Sequence, residues 1–216
     1  MLRFLGRGRS VIRAIVGPLA AAALIALTPI HIVRDATAQN RGSAEPAEPP
    51  DRLRTWQYAA HGVFLELTQR LPDQTRGFFE ARGFEPKVAD EIASYCFFQS
   101  IVKNTAPPSE GDVEFDLGEW RAIHRGGRHR MRVREYWDRL WSEREVSEAA
   151  RIAFKWSLFP TRQTYASGEY NWGMTVFALR PSAVLDLEFS STRRGRRSVH
   201  RLTGIECAPD VRMHPR

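Results

Sequence analysis

The sequence predicts an α+β fold, with an N-terminal helical cap of two to three helices packed on an antiparallel β-sandwich of about six strands. Three observations carry this prediction. Apolar residues recur at spacings of three and four from Leu53 to about Thr105, the period drops to two after Ser109-Glu110-Gly111, and short turn sequences then separate successive alternating runs.

The first predicted helix places Leu53, Trp56, Ala60, Phe64, Leu67 and Leu71 on one face. Pro72-Asp73 opens a second, short helix containing Phe78 and Phe79, which Gly83 closes at a position where a left-handed backbone is common. Pro86 starts a third, in which Val88, Ile92, Tyr95, Cys96, Gln99 and Ile101 form a buried stripe that ends before Pro107-Pro108. This makes residues 52–108 a helical subdomain, with Cys96 on an inward helix face, and residues 109–216 a β-sandwich subdomain.

In the second part, Val113, Phe115 and Leu117 alternate with Asp112, Glu114 and Asp116, as in a half-buried strand. A Gly126-Gly127 turn leads into Met131 and Val133 alternating with Arg130, Arg132 and Arg134, a hairpin with a basic exposed face. Tyr136, Trp137, Leu140 and Trp141 are spaced for one or two helical turns. From Arg151, the alternation of Ile152, Phe154, Trp156 and Leu158 reads as a strand in preference to the helix that Ser147-Glu148-Ala149-Ala150 would open. Strands follow over Tyr170 to Leu179, Val184 to Ser190 and Val199 to Cys207, separated by Arg180-Pro181-Ser182 and Arg193-Arg194-Gly195-Arg196.

Ahead of the domain, MLRFLGRGRSVIR carries Arg3, Arg7, Arg9 and Arg13 without an acid, and an apolar stretch follows from about Ala14 to Val33. With the small-x-small site Ala36-Thr37-Ala38, residues 1–38 read as a Sec-type export signal cleaved before Gln39. The apolar stretch is long enough to leave an uncleaved inner-membrane anchor as the alternative, although Pro18, Pro29 and His31 interrupt it. Either outcome keeps the arginines in the cytoplasm and delivers the domain to the periplasm, with the membrane touched only through this segment. Residues 39–51, rich in Pro, Ala, Glu, Ser and Gly, form a flexible linker.

The formal charge of +7 shrinks under this reading, because the export segment holds five arginines and one aspartate and leaves +3 for the mature chain. A modest charge and a periplasmic address exclude nucleic acid as the partner. Of the 32 basic residues, 29 are Arg, which fits a GC-rich genome or bidentate recognition of anions. Cys96 and Cys207 are the only cysteines, and in an oxidising compartment they are expected to form a disulfide. Such a bridge closes a loop of about 110 residues, worth roughly 4–5 kcal/mol by the chain-entropy argument.

The most unusual stretch is the predicted loop 159–174, where Tyr165, Tyr170 and Trp172 form a candidate aromatic platform and Arg162, Gln163 and Asn171 are candidate polar contacts. The leading functional expectation is a non-enzymatic interaction or accessory protein of the cell envelope that uses this loop to bind another envelope protein or an anionic envelope component. The first alternative is a copper or small-ligand carrier. His124, His129, His200 and Met174 are its metal candidates, with Met131, Met213 and His214 behind them, but their spacing is poor and no cofactor is predicted. The basic turns Arg125 to Arg134 and Arg193 to Arg201 are candidate attractors of phosphate, lipid or an acidic partner. A hydrolase of envelope polymers comes last, because G-x-S-x-G, H-E-x-x-H, Walker A, G-x-G-x-x-G and C-x-x-C are all absent.

Overall fold

The computed structural model describes residues 53–211, all of which belong to one unit. The predicted export signal, the linker, Met213 and His214 lie outside the described residues.

The described chain is α+β, with four helices and two antiparallel sheets. Strands β1 (Thr55–Ala60), β2 (Val63–Gln69), β3 (Cys96–Asn104) and β8 (Tyr170–Phe177) form the first sheet in that order. The second sheet runs β6 (Gly127–Arg130), β5 (Arg121–His124), β9 (Val184–Arg193), β4 (Val113–Asp116), β7 (Arg162–Tyr165), and β10 (Arg196–Glu206) pairs along β9. Helices α1 (Pro72–Glu80) and α2 (Pro86–Ala93) precede β3, and α3 (Arg134–Glu143) and α4 (Glu148–Ser157) lie between β6 and β7.

Period-two alternation accounts for the layering. Leu65 and Leu67 of β2, Phe98 and Val102 of β3 and Phe177 of β8 point inward and share one buried cluster with Phe115, Leu187 and Phe189 of the second sheet. The opposite face of the first sheet is only partly covered. Phe97, Met174 and Val176 pack there against Phe79, Trp137, Trp141 and Phe154 from the helices, in a second core cluster. The remainder of that face, carrying Phe64, Ile101, Tyr170 and Trp172, lies outside both clusters of buried residues.

The two cysteines form the expected disulfide, at a sequence separation of 111. It ties the first residue of β3 to the segment after β10, where Cys207, Ala208 and Asp210 are buried. Asp210 also accepts hydrogen bonds from Arg76 of α1, so this segment is held at both ends.

Several expected elements are corrected. The helical cap over 52–108 is replaced by a mixed arrangement, because Leu53 to Leu71 is the β1–β2 hairpin. Its turn is His61-Gly62, with φ of 52° and 69°, the conformation two-residue hairpins require. Trp56, Tyr58 and Ala60 face inward on one strand and Val63, Leu65 and Leu67 on the other, so reading across the turn mixes two alternating sets. That mixture, with outward Phe64 included, imitates a helical spacing. The predicted third helix stops at Ala93, and Cys96 to Asn104 continues as β3, so Cys96 lies on a strand. Conversely, the predicted strand from Arg151 is helix α4, capped by Ser147, whose hydroxyl accepts from the Ala150 N–H. Buried Ala150 and Phe154 are four apart on one face, and exposed Ile152 and Trp156 are four apart on another. The expected loop 159–174 contains β7, and the total is ten strands among the described residues instead of six. The predicted turn at Arg194-Gly195 and the strands β4, β8, β9 and β10 are present. The turn expected at Gly126-Gly127 is Arg125-Gly126, with Gly127 the first residue of β6, and it joins β5 to β6. The basic strand expected over Arg130 to Arg134 ends at Arg130, because Met131 only bridges Phe177 and Arg134 opens α3, and β4 pairs with β7 and β9 instead of forming a hairpin with it.

Candidate functional site

The residues singled out in 159–174 separate onto different environments. Tyr165 is 1% exposed, packs edge-on against Phe115 in the core, and burial pushes its hydroxyl above the usual phenol range. Arg162 is exposed but committed to Asp116, whose carboxylate accepts from its Nη2 at 2.5 Å and holds the guanidinium above its ordinary value. The side-chain oxygen of Gln163 accepts from Asn171 Nδ2 at 2.7 Å and from the Tyr165 hydroxyl at 3.2 Å, a link from β7 to β8. Tyr170 and Trp172 behave differently, being 62% and 66% exposed.

Their exposure follows from strand parity. In the pairing of β3 with β8, Asn171 and Gly173 stand opposite inward Val102 and Ser100, whereas Tyr170 and Trp172 stand opposite outward Lys103 and Ile101. A Cβ on Gly173 would lie 2.9 Å from backbone atoms of Phe159, because the chain leaving α4 crosses the strand at that point. Leu158 bridges Met174 there, and Phe159 N–H donates to the Met174 carbonyl. The C-terminal turn of α4, with Trp156 at 78% exposure, thus arrives at the β8 edge. Met174 faces that edge, so Trp172, two residues before it, does as well. Its edge N–H is satisfied by the Asn171 side-chain oxygen at 2.8 Å, and its aromatic face is available for contact.

A concavity of about 760 Å³ opens where the His61-Gly62 turn meets the tip of the β9–β10 hairpin. Arg193, Arg194 and Arg196 line it, together with Glu110 and the buried pair Ser191 and His200. Arg193 donates to the carbonyls of Gly62 and Gly111 and to the buried side-chain oxygen of Asn104. Arg194 donates to the Ser109 carbonyl. Among the described residues none of these three arginines is ion-paired with a carboxylate.

Below the cavity, the Tyr58 hydroxyl lies 2.8 Å from His200 Nδ1, and Ser191 Oγ lies 2.8 Å from Nε2. Burial lowers the His200 pKa to about 4, with a further contribution from nearby His61, so the ring is neutral at pH 7. A Ser–His contact is the start of a nucleophilic site, but a histidine this weak is a poor general base. The third group is a phenol whose own ionisation burial opposes, so it brings no negative charge to stabilise an imidazolium. These hydrogen bonds join β1 of one sheet to β9 and β10 of the other.

The metal candidates are dispersed. His124 and His129 sit on β5 and β6, with rings 6.5 Å apart, and His124 Nδ1 bonds the Val184 carbonyl. His200 is engaged by Tyr58 and Ser191, and Met174 is buried in the helical cluster. Among the described residues no group of three His, Cys, Asp or Glu side chains is placed to hold a metal ion.

Residues the sequence reading missed are His61, Ile101, Ile152 and Trp156. The N-cap Ser147 with the four-residue spacing of Ile152 and Trp156 was the signal for the last two; His61 and Ile101 needed the β1–β2 turn and the β3 register. Among the described residues no helix is long and apolar enough to cross a membrane. Comparison with protein-family models, with curated proteins and with solved structures finds no match.

Proposed function

We propose that this chain is an exported, non-enzymatic accessory protein of the bacterial envelope, docking on another envelope protein through the outward face of β8. The observation that carries the reading is the exposure of Tyr170 and Trp172 on a strand paired throughout with β3, whose inward side is half-buried at Asn171 and buried at Gly173 and Thr175. Large aromatics held on a rigid strand give up much water-exposed area at little entropic cost when a partner covers them. Outward Ile101 and Phe64, half-buried on the adjoining strands, extend the surface, and Lys103 and Glu66 supply polar positions beside them. The disulfide supports delivery to an oxidising compartment, and the predicted export signal supports the periplasm in particular.

The test places a photo-crosslinking residue at position 172, or at exposed Thr203 as control, in the full chain exported in cells. The expected result is one discrete adduct from position 172 and none from 203, with the purified partner binding the Trp172→Ala variant at least about tenfold more weakly. Absence of adduct, or equal adducts from both positions, overturns the reading. An adduct of twice the chain's mass, matched by a dimer in sedimentation, replaces the foreign partner with a second copy.

A further inference from the structure

We propose that the tip of the β9–β10 hairpin is a binding site for a phosphomonoester carried on a body of about sugar size. The argument starts from charge. Arg193 and Arg196 are directly paired across the two strands, and Arg194 lies in the two-residue turn between them, with φ of 50° at Arg194 and 72° at Gly195. Like charges opposite each other in a hairpin are destabilising. Several arginines elsewhere on the domain meet carboxylates, as Arg128 does with Glu188, Arg197 with Glu119 and Arg201 with Asp186, and Arg82 and Arg121, which donate to carbonyls, do so only close in sequence. Here the partners of Arg193 and Arg194 are neutral oxygens, which fix the guanidiniums in place without cancelling their charge.

Position and charge are therefore prepared in advance, which is what an anion site requires. Arg193 spends three N–H bonds on the protein and Arg194 one, leaving donors on both, and Arg196 adds an exposed fork. The lining holds three guanidiniums and a single carboxylate, Glu110, a surplus of two positive charges that matches a phosphomonoester dianion. Three terminal phosphate oxygens use several forks at once, more than the two oxygens of a carboxylate accept. His200, held neutral, adds no charge of its own, and Ser198 offers a hydroxyl at the wall. A cavity of about 760 Å³ is far larger than a bare phosphate and leaves room for the group that bears it.

The phosphomonoester can come from a soluble phosphorylated sugar or from a lipid headgroup, and the experiment separates them. The oxidised full chain is titrated at low salt with glucose 6-phosphate, with glucose, and with citrate. It is also titrated with phosphatidylcholine vesicles with and without phosphatidic acid. Expected is saturable binding of glucose 6-phosphate but not glucose, weakened about tenfold by Arg196→Ala and further by Arg194→Ala with Arg196→Ala. Arg128→Ala removes one equal charge from a different place and is expected to leave binding unchanged. Binding of the sugar phosphate without the vesicles assigns a soluble ligand; selective vesicle binding that needs Arg196 assigns a lipid one. The proposal is overturned if neither phosphate probe binds, if Arg128→Ala weakens binding as much as Arg196→Ala, or if citrate binds as tightly as glucose 6-phosphate. Trp172→Ala leaves this binding intact, so failure at one site does not carry over to the other.

Discussion

Arg76 donates to three carboxylates, those of Asp73, Asp90 and Asp210, whereas Arg193 donates only to neutral oxygens of Gly62, Gly111 and Asn104. Both guanidiniums are held by several partners from distant parts of the chain. At Arg76 the charge is more than matched, and its acidity is suppressed further, above all by the hydrogen bond to Asp210. At Arg193 the geometry is equally constrained but the charge is left over. The same side chain thus acts as a clamp where carboxylates converge, and as a preorganised electrostatic site where only carbonyls do.

The largest losses of stability are expected at the clamp. Replacing Cys96 and Cys207 by Ser is expected to cost about 4–5 kcal/mol in urea unfolding, by releasing the closed loop. Arg76→Met leaves Asp210, 3% exposed, without its guanidinium, and is expected to cost about 3–5 kcal/mol. Because both changes free the buried segment 207–210, the combined variant should lose less than the sum, and strict additivity in a double-mutant cycle would show that the two ties act separately.

The next effect lies beside Arg193. The folded pKa of His200, about 4, is below the ordinary value of 6.5, so the unfolded chain takes up the proton first as pH falls. Stability from this group is fully present above about pH 6.5 and is lost between there and pH 4, by up to about 3 kcal/mol. His200→Gln should flatten that part of the stability–pH curve relative to wild type; identical curves would mean the ring is hydrated in the native state. A smaller loss, about 1–3 kcal/mol, is expected for Arg193→Met, which removes one charged donor from each of the Asn104 side-chain oxygen and the Gly62 and Gly111 carbonyls. The smallest effect has the opposite sign. Without phosphate, Arg196→Ala should stabilise by less than about 1 kcal/mol at low salt, and the gain should vanish at high salt. A loss instead of a gain would show that Arg196 is not under like-charge strain.

Much of the second half of the chain was legible because its signals are local. Gly126 and Gly195 mark turns since a positive φ suits glycine, and the alternation in β4, β8 and β9 was read directly. The first half was not, because His61 takes a positive φ without being a usual turn residue, and an unread turn merges two strands into one false helical period. The stripe from Val88 to Ile101 failed similarly, since it runs through the end of α2 into β3. At the site, the run Tyr165 to Trp172 was recognisably unusual, yet it contains one core aromatic and two exposed ones.

By itself the sequence determined the pairing of Cys96 with Cys207, the turns at Gly126 and Gly195, and the mixed helix and strand character of the domain. These depend on residue chemistry and on the chain's relation to its own neighbours. Only the tertiary structure decided that Tyr165 is buried while Trp172 is exposed, and that three arginines gather round one cavity that a single carboxylate, Glu110, lines with them. Exposure and charge balance are set by which distant segments arrive at a surface: Phe115 beside Tyr165, the helices over one end of the first sheet and not the other, and carbonyls instead of carboxylates at Arg193.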